Sequence, residues 1–150
     1  GSIPASRTKL KKPSLKRRGF FVLFNAAMPP IPVLIVACFF IGAGILHFVL
    51  LAFFSAIVPP YLSDPEALVK ISGVFELLGG FGVLLPATRK WAGWGLIALC
   101  VAVLPANVHM AMNPDQFENI PVMLLYLRLP LQVLIIWFIW KATQSPARIK

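Results

Sequence analysis

The sequence predicts an all-α integral membrane protein: a four-helix antiparallel bundle with short loops and both termini cytoplasmic. Three observations carry this. First, 59% of the 150 residues are apolar and only 13% charged, with a mean hydropathy of +0.83, whereas a soluble domain carries about 25% charge. Second, the charges leave long gaps: none lies between residues 19 and 63 or between 91 and 114, only Glu76 lies between 71 and 88, and only Arg128 between 119 and 140. Third, twelve of the fourteen Lys and Arg fall on one side of the spans so defined. The apolar excess excludes a disordered chain, and two cysteines are too few for a disulfide-stapled secreted fold.

Each element follows from its boundaries. Residues 1–19 form a basic arm with Arg7, Lys9, Lys11, Lys12, Lys16, Arg17 and Arg18; Gly1-Ser2 is set aside as an expression remnant. The arm reads as a topogenic tail that binds anionic lipid head groups, not nucleic acid, because four spans follow it. Residues 20–32 read as an interfacial segment, Phe20–Met28 lying at the membrane surface before Pro29, Pro30 and Pro32. Its apolar run is too short for a cleaved signal peptide. The transmembrane domain spans 33–141, with helices at Val33–Ala56, Glu66–Leu85, Trp91–Met112 and Ile120–Trp140, and 142–150 form a cytoplasmic tail. Ser63-Asp64-Pro65-Glu66 opens the second helix, Pro86 ends it, and Asn113-Pro114-Asp115 closes the third. Trp91, Trp94, Trp137 and Trp140 sit at head-group depth. By the positive-inside rule the basic arm, Arg89-Lys90 and the tail are cytoplasmic, and the acidic loops face out.

Charged groups inside hydrocarbon cost about 2.5–3.5 kcal/mol on insertion scales, so each needs a partner or a role. Glu76 lies ~16 Å and Arg128 ~11 Å below the outer surface at 1.5 Å per residue. Opposite signs at similar depth predict a Glu76–Arg128 ion pair. His47, placed on a continuous first helix, and Asn107 reach the same outer half. Each helix thus offers one polar residue: His47, Glu76, Asn107 and Arg128, with Ser72, His109 and Gln132 in support. Two readings stay open: a hydrogen-bonded strut that fixes helix register, or a site for a ligand or a proton.

Other chemistries fit less well. His47 and His109 differ in depth, which disfavours haem ligation. Cys38 and Cys100 form no Cys-x-x-Cys pair, and zinc lacks ligands. Gly42, Gly44, Gly73, Gly79, Gly80 and Gly82 read as close helix packing. Phe39, Phe40, Phe48, Phe53 and Phe54 suit lipid contact, core, or the wall of a pocket for an apolar ring.

Six segments occur in order: Gly44-Ile-Leu-His47-Phe48, Ile57-Val-Pro-Pro-Tyr-Leu62, Ile71-Ser-Gly-Val-Phe-Glu76, Leu84-Leu-Pro-Ala-Thr-Arg89-Lys90, Pro105-Ala-Asn107-Val-His-Met110 and Leu127-Arg128-Leu-Pro-Leu-Gln132. Together they resemble the DoxX-like family of four-helix membrane proteins over roughly residues 33–141. The resemblance implies a bacterial inner (plasma) membrane and a link to quinone or to subunits of a membrane redox complex. That family carries no agreed catalytic residues, so no catalytic role is transferred.

The function expected is a small accessory subunit, non-catalytic, that binds a quinone-like or other apolar ligand in the outer half of the bundle. Such a ligand calls for a cavity beside Glu76. The alternatives are an assembly or chaperone-like scaffold with an exposed Gly73–Gly82 seam, and an acid–base lipid isomerase or cyclase using Glu76. A homo-oligomer is compatible with all three.

Overall fold

The computed structural model describes residues 28–117 and 120–144. The basic arm, the Phe20–Ala27 part of the interfacial segment, Glu118 and the end of the tail lie outside the described residues. Within them every regular element is a helix: α1 (Ile31–Val49), α2 (Leu51–Ile57), α3 (Pro65–Leu84), α4 (Arg89–Met112), a 3-10 turn (Pro114–Phe117) and α5 (Val122–Gln144). α1, α3, α4 and α5 are each long and apolar enough to cross a membrane.

The expected first span is two helices. α1 starts after Pro30, with Pro32 in its first turn where the missing N–H costs nothing. It ends at Leu50, whose backbone (φ −112°, ψ 38°) is not helical, and α2 resumes at Leu51. Asp64 caps α3 from a left-handed conformation (φ 55°), its side chain accepting from the Ala67 amide at 3.1 Å. Beyond the other end of α3, Arg89 donates to the carbonyls of Val83 (3.0 Å) and Leu84 (3.4 Å), satisfying acceptors that a helix terminus leaves open. α5 runs to Gln144, past the expected boundary at residue 141.

Unlike those of a soluble bundle, the helices are apolar on their outer faces as well as in the core. On α3, Val69, Gly73, Glu76, Gly80 and Val83 are buried at alternating spacings of four and three, the period of one helix face. The opposite face carries Phe75, Leu78 and Phe81 at 56%, 63% and 57% exposure, an apolar surface suited to lipid. α1 and α3 pack backbone to backbone. A Cβ on Gly44 would lie 2.9 Å from the Gly73 carbonyl oxygen, and one on Gly80 would lie 3.1 Å from the Ile41 amide nitrogen. Gly79 and Gly82 meet Leu96 and Ala92 of α4. The glycine-rich face of α3 is therefore spent inside the bundle, which corrects the expectation of an exposed Gly73–Gly82 seam. Gly42 faces open space, so it is not a packing glycine.

Two apolar cores result. One gathers Val33, Val36, Ala37, Phe40, Val83, Leu96 and Ile139; the other gathers Ile57, Met110 and Leu125 near the α2 end. The polar side chains of the bundle lie between them.

Candidate functional site

His47 sits in the last turn of α1, and the break at Leu50 decides what it touches. On a continuous helix Phe54, seven residues on, would lie ~10 Å further along the axis. Because α2 starts afresh, the rings of His47 and Phe54 stack with centroids 4.2 Å apart and planes 16° from parallel. His47 Nδ1 lies 2.9 Å from the Ala43 carbonyl oxygen. A carbonyl only accepts, so Nδ1 carries the hydrogen. The same nitrogen lies 2.9 Å from Glu76 Oε2 across the α1–α3 crossing. Gly44 and Gly73 permit this approach, since a side chain on either would hold the two helices apart.

Glu76 is therefore the partner of His47, not of Arg128. Among the described residues the ion pairs are His47–Glu76 and the exposed Glu66–Lys70 pair at 3.2 Å, and the expected Glu76–Arg128 pair does not form. Matching depth set the expectation, but rotation about the helix axis decides contact. Glu76 lies on the α3 face turned to α1, and it is 8% exposed. Arg128 instead donates from Nη1 to the thioether sulfur of Met110 at 3.1 Å, a weak acceptor.

Asn107 and Gln132 join α4 to α5. Asn107 Nδ2 donates to Gln132 Oε1 at 2.7 Å, and Gln132 Nε2 donates to the Cys100 carbonyl. Gln132 is 7% exposed, so its amide is held from both sides. Pro105 lies inside α4 and has no N–H for the Val101 carbonyl, in the same turn of backbone that Gln132 engages. Ser72 Oγ is buried without a hydrogen-bond partner among the described residues.

A cavity of about 310 Å³ opens between α1, α2, α3 and α4, with His47, Ser72, Glu76, Asn107 and Arg128 in a wall otherwise formed by apolar side chains. A second, of about 240 Å³, shares Glu76, Asn107 and Arg128 with the first and adds Gln132 and Cys100. Six of the seven residues singled out by sequence thus line one connected polar layer. His109 is the exception. It bonds Asn113 through Nδ1 at 3.1 Å, packs edge-on to Phe117, and faces a separate cavity with Tyr61 and Met112. Its role is at the end of α4, not in support of the cluster. Phe54, one of the phenylalanines read as a possible pocket wall, lines the cavity; Met110 and the Cys100 carbonyl belong to the layer and carry no sequence signal of their own, a proline inside an apolar span being the one hint near Cys100.

Fold and site together define a class: a polytopic helical bundle with a buried polar layer between two apolar cores. Residues 36–143 match the family model of a domain of unknown function, DUF8561, and the chain belongs to that family. No curated protein and no solved structure matches it.

Proposed function

We propose that this is an integral membrane protein of a bacterial-type inner membrane, antiparallel, with both termini cytoplasmic, acting as an accessory subunit that binds a quinone-like or other apolar ligand. The observation that carries the reading is the cavity of about 310 Å³ beside Glu76. Its volume falls at the lower end of the range for small-molecule sites, which are mostly apolar with few polar groups. Polar side chains this deep in apolar helices are costly, so a void beside them fits a ligand better than a bare strut. The residues fit a ring bearing oxygens: Arg128 is a donor with a weak protein acceptor, Ser72 has an unused hydroxyl, and apolar side chains of α2 and α4 wall the ring. The likeness to DoxX-like proteins is the further support for a quinone and for partners in a membrane redox complex. The scaffold alternative is weaker because the glycines it would offer a partner are occupied by α1 and α4.

The test is mass spectrometry of small molecules extracted from the full chain in mild detergent, wild type beside Ser72→Leu. That substitution removes an unpartnered hydroxyl and narrows the chamber. The expected result is one apolar ligand per chain in the wild type, lost in the variant. Bulk phospholipid alone in both would refute ligand binding and return the polar layer to a strut.

A further inference from the structure

Two features of the polar layer narrow the chemistry of its ligand, and both rest on the reading above that the cavity is a binding site. The first is charge. His47 Nδ1 holds Glu76 Oε2 at 2.9 Å, on the α1 side of the layer. Glu76 is the one acid in the walls of either chamber; its Oε2 lies against His47, makes no hydrogen bond among the described residues, and does not reach Arg128. Arg128, whose guanidinium stays protonated in proteins, is left facing both chambers with the Met110 sulfur as its hydrogen-bond acceptor. The Arg128 guanidinium therefore has no carboxylate in contact with it among the described residues.

The second is shape. A third cavity, of about 330 Å³, lies in the seam between α1 and α5 and is walled by apolar side chains, among them Ile35, Leu134 and Phe138. It shares Phe39, Phe40 and Ile135 with the 240 Å³ chamber, which in turn shares Glu76, Asn107 and Arg128 with the 310 Å³ chamber. Three neighbouring cavities thus share walls from the outer surface of the seam to the guanidinium. α1 packs mainly on α3, and α5 mainly on α4, so the α1–α5 seam is the loosely closed side of the bundle. Phe39 and Trp137, at its surface, are about half exposed on the side that would meet lipid.

We propose that the site takes a single-chain amphiphile with a carboxylate head, which enters sideways from the bilayer through the α1–α5 seam. The head pairs with Arg128, and the chain lies along Phe39, Phe40 and Ile135. A carboxylate matches the guanidinium in geometry, accepting two parallel N–H bonds. It sets one negative charge against the one guanidinium in the walls, whereas a phosphate monoester would bring up to two. Desolvation favours the same choice, because an unpaired charge in a low-dielectric site is costly and its partner is worth correspondingly more.

The experiment is equilibrium binding of radiolabelled oleate, oleyl alcohol and oleyl phosphate to the full chain in nanodiscs, with Arg128→Gln, Arg128→Lys and Ile135→Trp as variants and thermal melts as the check on folding. Oleate is expected to bind at one per chain and at least about tenfold tighter than oleyl alcohol, which is about 1.4 kcal/mol. Arg128→Gln should abolish that preference and Arg128→Lys retain it. Ile135→Trp, which narrows the passage from the seam, should slow or abolish uptake while the melting temperature is kept. Equal binding of oleate and oleyl alcohol, unchanged in Arg128→Gln, would overturn the carboxylate head yet leave a ligand in the bundle. Tighter binding of oleyl phosphate would overturn it too. Undiminished uptake by Ile135→Trp would overturn the lateral route. No saturable binding of any probe, with only bulk phospholipid extracted from the wild type, would remove the binding site itself.

Discussion

Replacing His47 by Phe keeps a ring against Phe54 and removes the nitrogen 2.9 Å from Glu76 Oε2. The stack is retained, so the loss reports the Nδ1 contacts, with Glu76 and with the Ala43 carbonyl, and the coupling to Glu76→Gln isolates the first. Removing one partner of a buried pair costs about 3–5 kcal/mol. Glu76 escapes part of this by taking up a proton, so a destabilisation of about 3 kcal/mol is expected. Arg128→Gln deprives Glu76 of nothing it touches and should cost about 1 kcal/mol, the scale of one hydrogen bond to a weak acceptor. Two double-mutant cycles separate the pairings. His47→Phe with Glu76→Gln should show a coupling of about 2–3 kcal/mol, and Arg128→Gln with Glu76→Gln about 0.5–1 kcal/mol, the low end for groups that share a cavity and make no contact. The assay is reversible unfolding from mixed micelles, followed by far-ultraviolet circular dichroism. A coupling between Arg128 and Glu76 equal to or greater than that between His47 and Glu76 would refute the pairing and restore the partnership that helix depth alone predicts.

Three further predictions follow from the packing. Gly44→Ala places a methyl 2.9 Å from the Gly73 carbonyl and should cost about 1–3 kcal/mol, whereas Gly42→Ala, with nothing within 4 Å, should be neutral or slightly stabilising in the same unfolding assay. Gln132→Leu strands the Asn107 amide and removes the bond to the Cys100 carbonyl, and should cost about 1–3 kcal/mol; adding Asn107→Leu should recover part of that loss, a non-additivity that strictly independent roles would not give. Cysteines placed at Ser63 and Ala87, before α3 and after it, should react with a membrane-impermeant maleimide from opposite faces of the membrane in a double variant with Cys38 and Cys100 replaced by Ser. Labelling of both from one face would overturn the spanning of α3.

The composition and the uncharged intervals are enough to place the helices, because transfer of apolar segments into hydrocarbon depends on local sequence and little else. Pro65, Pro86 and the Asn113-Pro114 pair mark ends that the helices respect to within two residues. The break at Leu50 is different in kind. Leu46 to Ala56 carries no Gly or Pro, and the interruption brings Phe54 back onto His47, a tertiary contact that no local preference announces. Most of the polar side chains of the layer are legible too, since placing Glu76, Arg128 and Gln132 in apolar helices is costly wherever they point; His109, Met110 and the Cys100 carbonyl are the exceptions. The pairing within the layer is not legible. Depth along a helix can be counted from the sequence at 1.5 Å per residue, but the azimuth of one helix against another is set by which small residues let backbones close. Gly44, Gly73 and Gly80 bring α3 against α1, and that turn hands Glu76 to His47, leaving Arg128 to the cavity.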